Sequence, residues 1–257
     1  MAKNNLGTYF WYAMGEILLV VVGIVIALQI DNWNDERVEQ REIRGYMLNL
    51  VADIERDFEM LKVIEHQINV KTSKADSLDR YMQGKTIEEI GNIDLFTYMR
   101  TTTYRPYAWN RAAMEQIKNS GALRQIKNQD LVNRISQYDA LTLHLDEDYN
   151  GDLNAMHRVE AAVVNVVNRN YPNAEEISDF EDDSEEYEYI AFLKSALYRQ
   201  IKPDDLPLLT SDINQIISAT NYFSIVVNRM SPRPEREIPR LRGFGEDIIK
   251  LVDAEYQ

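Results

Sequence analysis

YFWYAMGEILLVVVGIVIALQI, residues 9–30, is almost purely apolar and stops abruptly at Asp31-Asn32-Trp33-Asn34. A helix rises about 1.5 Å per residue, so this stretch spans roughly 30 Å, the thickness of a bilayer's hydrocarbon core. Aromatic residues crowd one end (Tyr9, Phe10, Trp11, Tyr12) and Trp33 stands at the other, like the two interfacial belts of a spanning helix. A cleaved signal peptide would carry a more basic leader than the single Lys3 and would not need a second aromatic belt. The stretch therefore predicts a retained transmembrane helix.

Within that helix Glu16, Val20, Gly23 and Ala27 fall on one face. Gly23 and Ala27 form a small-xxx-small pair, which lets a second helix approach closely. A carboxylate such as Glu16 is costly in hydrocarbon unless it lies at the interface, is protonated or is paired inside a bundle. The two oddities share a face, which points to a homo-oligomeric interface. A second reading makes the helix one stave of an oligomeric cation pathway, with Glu16 and Gln29 or Asn32 facing a lumen.

After Asn34 the chain becomes charged and periodic. Met47, Leu50, Ile54, Phe58, Leu61, Ile64 and Ile68 recur at three- and four-residue steps, the stripe of an amphipathic helix. That stripe buries against the same subunit or against neighbours. No proline or glycine interrupts Tyr46 to Gln83, so the membrane helix continues, or bends briefly near Asn32, into a long helix that stops at Gly84. Beyond it the pattern predicts a connector over 84–94, short helices over 95–100 and 107–119, and a left-handed stop at Gly121. Further helices are expected over 130–171, 187–200, 208–230 and 240–256. Four helices would then have twenty or more residues. The acidic run EEISDFEDDSEEYE (residues 175–188) reads as a solvated loop, and Ser231-Pro232-Arg233-Pro234 as the start of an extended basic connector.

The expected fold is all-α: one N-terminal transmembrane helix continuing into an elongated helical-bundle domain. The divisions are a leader at 1–8, the membrane helix at 9–30, a juxtamembrane helix at 31–83 and the bundle at 84–257. A net charge of -14 argues against nucleic acid as a partner. The chain has no cysteine, which excludes disulfides, thiolate metal sites and cysteine nucleophiles.

Two segments, Gly15 to Ile30 with Asp31-Asn32-Trp33-Asn34, and Met114 to Asn128 (MEQIKNSGALRQIKN), resemble an uncharacterised family of single-pass Bacteroidota proteins. Its signatures are GEI-LVV-GI-IALQI-NWN near the amino terminus and a helix ending in SG-L--IKN. The resemblance implies an inner-membrane, mostly helical protein with its carboxy-terminal domain in the periplasm, and brings no catalytic residues. The arginines at 37, 41 and 44, counted alone against Lys3, would instead put the domain in the cytoplasm.

Candidate chemistry is sparse. Asp146-Glu147-Asp148-Tyr149-Asn150-Gly151 fits the first half of a calcium loop at Asp146, Asp148 and Asn150. His157 stands where the bidentate Glu belongs, and a helical stripe (Leu131, Ile135, Tyr138, Leu145, Tyr149, Leu153, Met156) runs through in phase. A helix with a mild kink at Gly151 is the better reading. No two of the histidines 66, 144 and 157 share a helical turn, so neither a metal nor a cofactor is expected. The functional expectation is a non-enzymatic protein that sits in the lipid bilayer and self-associates. It would scaffold the envelope or couple it to another envelope protein. A ligand-sensing helical domain is a further alternative, and would need a pocket between the long helices.

Overall fold

The computed structural model describes residues 6–100, 103–178 and 187–256. Lys3 and most of the acidic run lie outside the described residues. Every regular element among the described residues is helical, so the chain is all-α.

The first helix, α1 (Leu6–Met82), is unbroken over 77 residues, about 115 Å at helical rise. The membrane-length stretch and the juxtamembrane helix are thus one element, with no bend at Asn32. It is the one helix among the described residues long and apolar enough to cross a membrane. Among the described residues no other element packs against its apolar part: Trp11 is 72% exposed and Leu19 75%. Exposure ends abruptly further on. Ile43, Met47, Leu50, Ile54, Leu61, Ile64 and Ile68 are all buried within this subunit.

Four limbs run up, down, up and down beside one another. The first is α1. At its far end lie a short turn (Ile87–Glu89) and α2 (Asn92–Met99). The second limb, residues 103–128, descends along α1 and contains α3 (Ala112–Ser120). Its contacts step down α1 in order. The Arg105 N–H donates to Gln67 Oε1 (2.8 Å), that of Asn110 to Asp57 (2.9 Å) and that of Ala113 to Asp53 (3.1 Å), and Gln125 donates to Glu39. At Gly121, φ is +75°, a value that suits glycine, and α3 ends there as its sequence predicts.

The third limb is α4 (Gln129–Val163), capped by the Asn128 side chain, which accepts from Leu131 N–H. It climbs parallel to α1, with Tyr138 donating to Asp57 (2.9 Å). At its top come α5 (Ala174–Ser178), α6 (Glu188–Lys194) and α7 (Ala196–Ile201). The fourth limb descends: α8 (Ile213–Asn228), a π turn (Arg233–Glu237) and α9 (Ile238–Tyr256). It starts where Leu209 N–H donates to the Val166 carbonyl (2.9 Å) and ends where Arg44 donates to the Tyr256 carbonyl (2.6 Å).

Several boundaries depart from the expectation. The helix expected over 130–171 ends at Val163, because the chain turns there to bury Val166 and Val167. That over 107–119 begins only at Ala112, and that over 208–230 covers 213–228. The 187–200 helix divides at Ser195, whose hydroxyl caps α7 by accepting from Tyr198 N–H (3.1 Å). Part of the acidic run is helical, as α5. The expected extended connector is the π turn leading into α9, with Arg233 buried against α4. Among the described residues only α1 and α4 exceed twenty residues; α9 has 19 and α8 has 16.

Candidate functional site

The outward face of α1 comes first. With 3.6 residues per turn, each position advances about 100°. Measured from Glu16, Val20 lies at about 40°, Gly23 at about −20° and Ala27 at about 20°. All four are exposed, and nothing comes within 4 Å of a Cβ built on Gly23. The structure thus brings these residues together. Gln29 and Asn32 lie about 140° and 160° away, on the opposite side of the helix.

The same phase carries into the bundle. Ile43, Leu50, Ile54 and Leu61, all buried, fall within about 20° of the side opposite Glu16. Val38, Gly45, Ala52 and Val63 fall within about 40° of Glu16 itself. Val38 and Val63 are each 44% exposed and Gly45 has open space around it. The bundle therefore packs on one side of α1. The small-residue face of the membrane stretch and the uncovered sector of the bundle's first limb are on the other.

The base of the bundle lies close to the end of the apolar stretch. Lys127 pairs with Glu36 (3.7 Å), and the Arg37 guanidinium stacks 4.8 Å over Trp33. Ile30 and Glu36 are separated by about 9 Å of helix. Headgroups occupy about 5–8 Å beyond the hydrocarbon on each side, so the bundle's base stands at the lipid surface when residues 9–30 span.

Three polar clusters tie the limbs together. In the first, Asp53 and Asp57 of α1 receive the backbone at the start of α3. Asp57 also accepts from the Asn110 side chain (2.9 Å) and from Tyr138. Burial pushes the Asp57 carboxyl up, against the downward pull of those bonds. The cavity these residues line has a volume of ≈ 10 Å³, room for about one water. In the second, Asp94 accepts from Tyr81 (2.8 Å) and Tyr198 (2.7 Å) and pairs with Lys202. Asp205 accepts from the Ile93 N–H (3.1 Å) and from Tyr171. These groups clamp α2 to α1 and α7.

The third cluster joins α4 to the π turn. Arg233, 8% exposed, reaches Asp152 (3.2 Å), Asp148 (3.4 Å) and Glu237 (3.7 Å). Burial alone would lower the Arg233 pKa; Asp152, Glu237 and Asp148 outweigh it and raise it. Tyr104 donates to Asp152 (2.9 Å), and its ring meets those of Tyr107 and Tyr149 edge-on. Tyr107 stacks on Trp109 at 4.9 Å. Burial raises the Asp152 carboxyl and the Tyr104 and Tyr107 hydroxyls above their ordinary ranges. At the rim, His144 Nε2 lies 3.3 Å from Asp148.

Asp146, Asp148 and Asn150, the half calcium loop, lie on unbroken helix, as the periodicity predicts. Asp146 instead accepts from Trp109 Nε1 (2.8 Å) and Arg111 (2.6 Å). The Arg233 cluster was missed in the sequence. His144 and Asp148 stand one helical turn apart, which was legible, but Glu237 joins them only through the fold.

No curated protein and no solved structure matches the chain. A family model described as a family of unknown function, DUF6090, matches residues 16–196, from the membrane-length stretch through α6. The chain belongs to that family.

Proposed function

We propose that this is a non-enzymatic protein of the bacterial inner membrane, anchored by residues 9–30. It self-associates through Glu16, Val20, Gly23 and Ala27 and holds its bundle in the periplasm as an envelope scaffold or as a coupling component for another envelope protein. One observation carries the reading: the exposed small-residue face of α1 and the uncovered sector of its bundle portion lie in phase, opposite the core. Two copies can therefore meet along α1 with their bundles on the outside. Close approach at Gly23 and Ala27 gives the packing that drives association in lipid.

The unbroken α1 supports the coupling part of the role. A helix without a kink carries a shift or rotation of its membrane portion into the bundle. The non-enzymatic reading is supported by the commitment of Asp57, Asp94 and Asp205 to hydrogen bonds that fasten helices. The phase of Gln29 and Asn32 weighs against a lumen shared with Glu16. The cavity beside Asp57 is too small for a sensed ligand, and the space between α1 and α8 lined by Asp79, Met82, Ile217 and Ser224, ≈ 500 Å³, is the better fit to the ligand-sensor alternative.

Light scattering of the detergent-solubilised protein tests self-association. The wild type is expected as a dimer or higher oligomer, shifted toward monomer by Gly23→Leu and Ala27→Leu. A monomeric wild type would sink the proposal.

A further inference from the structure

We propose that His144, Asp148 and Glu237 form a binding site for a divalent cation of the zinc or manganese class. One atom from each, the imidazole nitrogen or a carboxylate oxygen, lies within 4.8 Å of the other two. Ligands about 2.0–2.2 Å from one tetrahedral metal stand about 3.3–3.6 Å apart, so side-chain rotations that draw these atoms together by at most about 1.5 Å close the site. His144 and Asp148 are one turn apart on α4, and Glu237 closes the π turn opposite them. π turns inside helices recur at functional sites, because the extra residue re-aims the side chains around it.

Charge favours a cation. Asp148, Asp152 and Glu237 surround a single guanidinium, so three carboxylates face one positive charge. Asp152 takes the closest contact from Arg233 and also the Tyr104 hydroxyl. Asp148 and Glu237 are longer contacts of the same guanidinium (3.4 and 3.7 Å), on the side where His144 opens to solvent and gives an ion its way in. The remaining groups point the same way. Glu237 Oε2 and Arg233 Nε are both buried without a hydrogen-bond partner among the described residues and face each other at 3.7 Å, an ion pair too long for a hydrogen bond that leaves the oxygen open to a closer ligand. An ion bound there gives Glu237 that partner. The Tyr107 hydroxyl, on a residue only 9% exposed, lies beside that of Tyr104 and within the electrostatic reach of Arg233, Glu237 and Asp152. One imidazole and two carboxylates suit zinc or manganese; calcium takes six to eight oxygens, more than this site offers.

The experiment is calorimetric titration of the full chain, purified in detergent without a histidine tag and stripped with chelator, using zinc, manganese, calcium and magnesium chlorides separately. The expected result is saturable binding of a single zinc or manganese ion per chain, with calcium and magnesium weaker. His144→Ala and Glu237→Gln are expected to lose roughly tenfold or more in affinity, with far-ultraviolet dichroism showing that each is folded. Glu147→Gln, on the exposed side of the same turn, is expected to bind as the wild type does. If Glu237→Gln does not fold, Asp148→Asn takes its place. Absence of saturable zinc or manganese binding overturns the site, as does binding that His144→Ala and its partner variant leave unchanged.

Discussion

Gly245 sits where α9 crosses α1. A Cβ there would come 2.6 Å from the Phe58 ring and 2.9 Å from Ile54 Cγ2. Overpacking of this kind costs about 1–3 kcal/mol. Gly245→Ala is therefore expected to lose that much stability in urea unfolding. Gly243→Ala, two residues away with open space around it, is expected to be neutral or to gain roughly 0.5–1 kcal/mol from helix propensity. Equal effects at the two positions would contradict this packing. Lys71 is a second residue-scale case. It is 9% exposed, and burial, reinforced by Lys74, lowers its pKa to about 8. Between about 8 and the ordinary value of 10.5 the unfolded chain binds more protons than the folded one, so this group makes stability rise with pH. Below 8 the ammonium is charged in both states and its burial cost is present in full. The stability difference between Lys71→Met and the wild type is thus expected to be constant below pH 8 and to move in the wild type's favour towards pH 10. Thermal unfolding across that range measures it, and a constant difference would refute the assignment.

At the scale of elements, Asp57 joins three helices: it lies on α1, receives the start of α3 and accepts from Tyr138 of α4. Tyr138→Phe removes one donor from a buried carboxylate, which costs about 1–3 kcal/mol. It should lower the unfolding midpoint without changing helical content by dichroism. The sequence made much of this architecture legible. The Met47-to-Ile68 stripe announces the core face of α1, and Gly121 announces the end of α3. The fourth limb was harder to read because Pro232 and Pro234 look like breakers. Proline lacks an N–H, but the first turn of a helix leaves its N–H groups unpaired anyway, so proline is tolerated there. Arg233 then goes to Asp152, a partner far away in the chain. Position-by-position reading carries no signal for such a pairing, and Glu237 beside His144 escaped it for the same reason.

At the scale of the whole molecule, α1 is both the apolar stretch and the first limb of the bundle. The angle between the Gly23 face and the core is therefore fixed by helical phase alone. Inserting two alanines after Asn34 would rotate one against the other by about 200°. Contacts between copies near Gly23 are then expected to persist while those near Gly45 are lost. The chain has no cysteine, so single cysteines placed along α1 report contacts without background. The most direct test of self-association through this face is disulfide cross-linking in native membranes, with cysteines at each position from 16 to 32 and at Val38 and Gly45. The predicted result is a helical periodicity with maxima at Val20, Gly23 and Ala27, continuing at Val38 and Gly45, and minima at Gln29 and Asn32. Uniformly low cross-linking, or maxima on the Gln29 and Asn32 side, would contradict it.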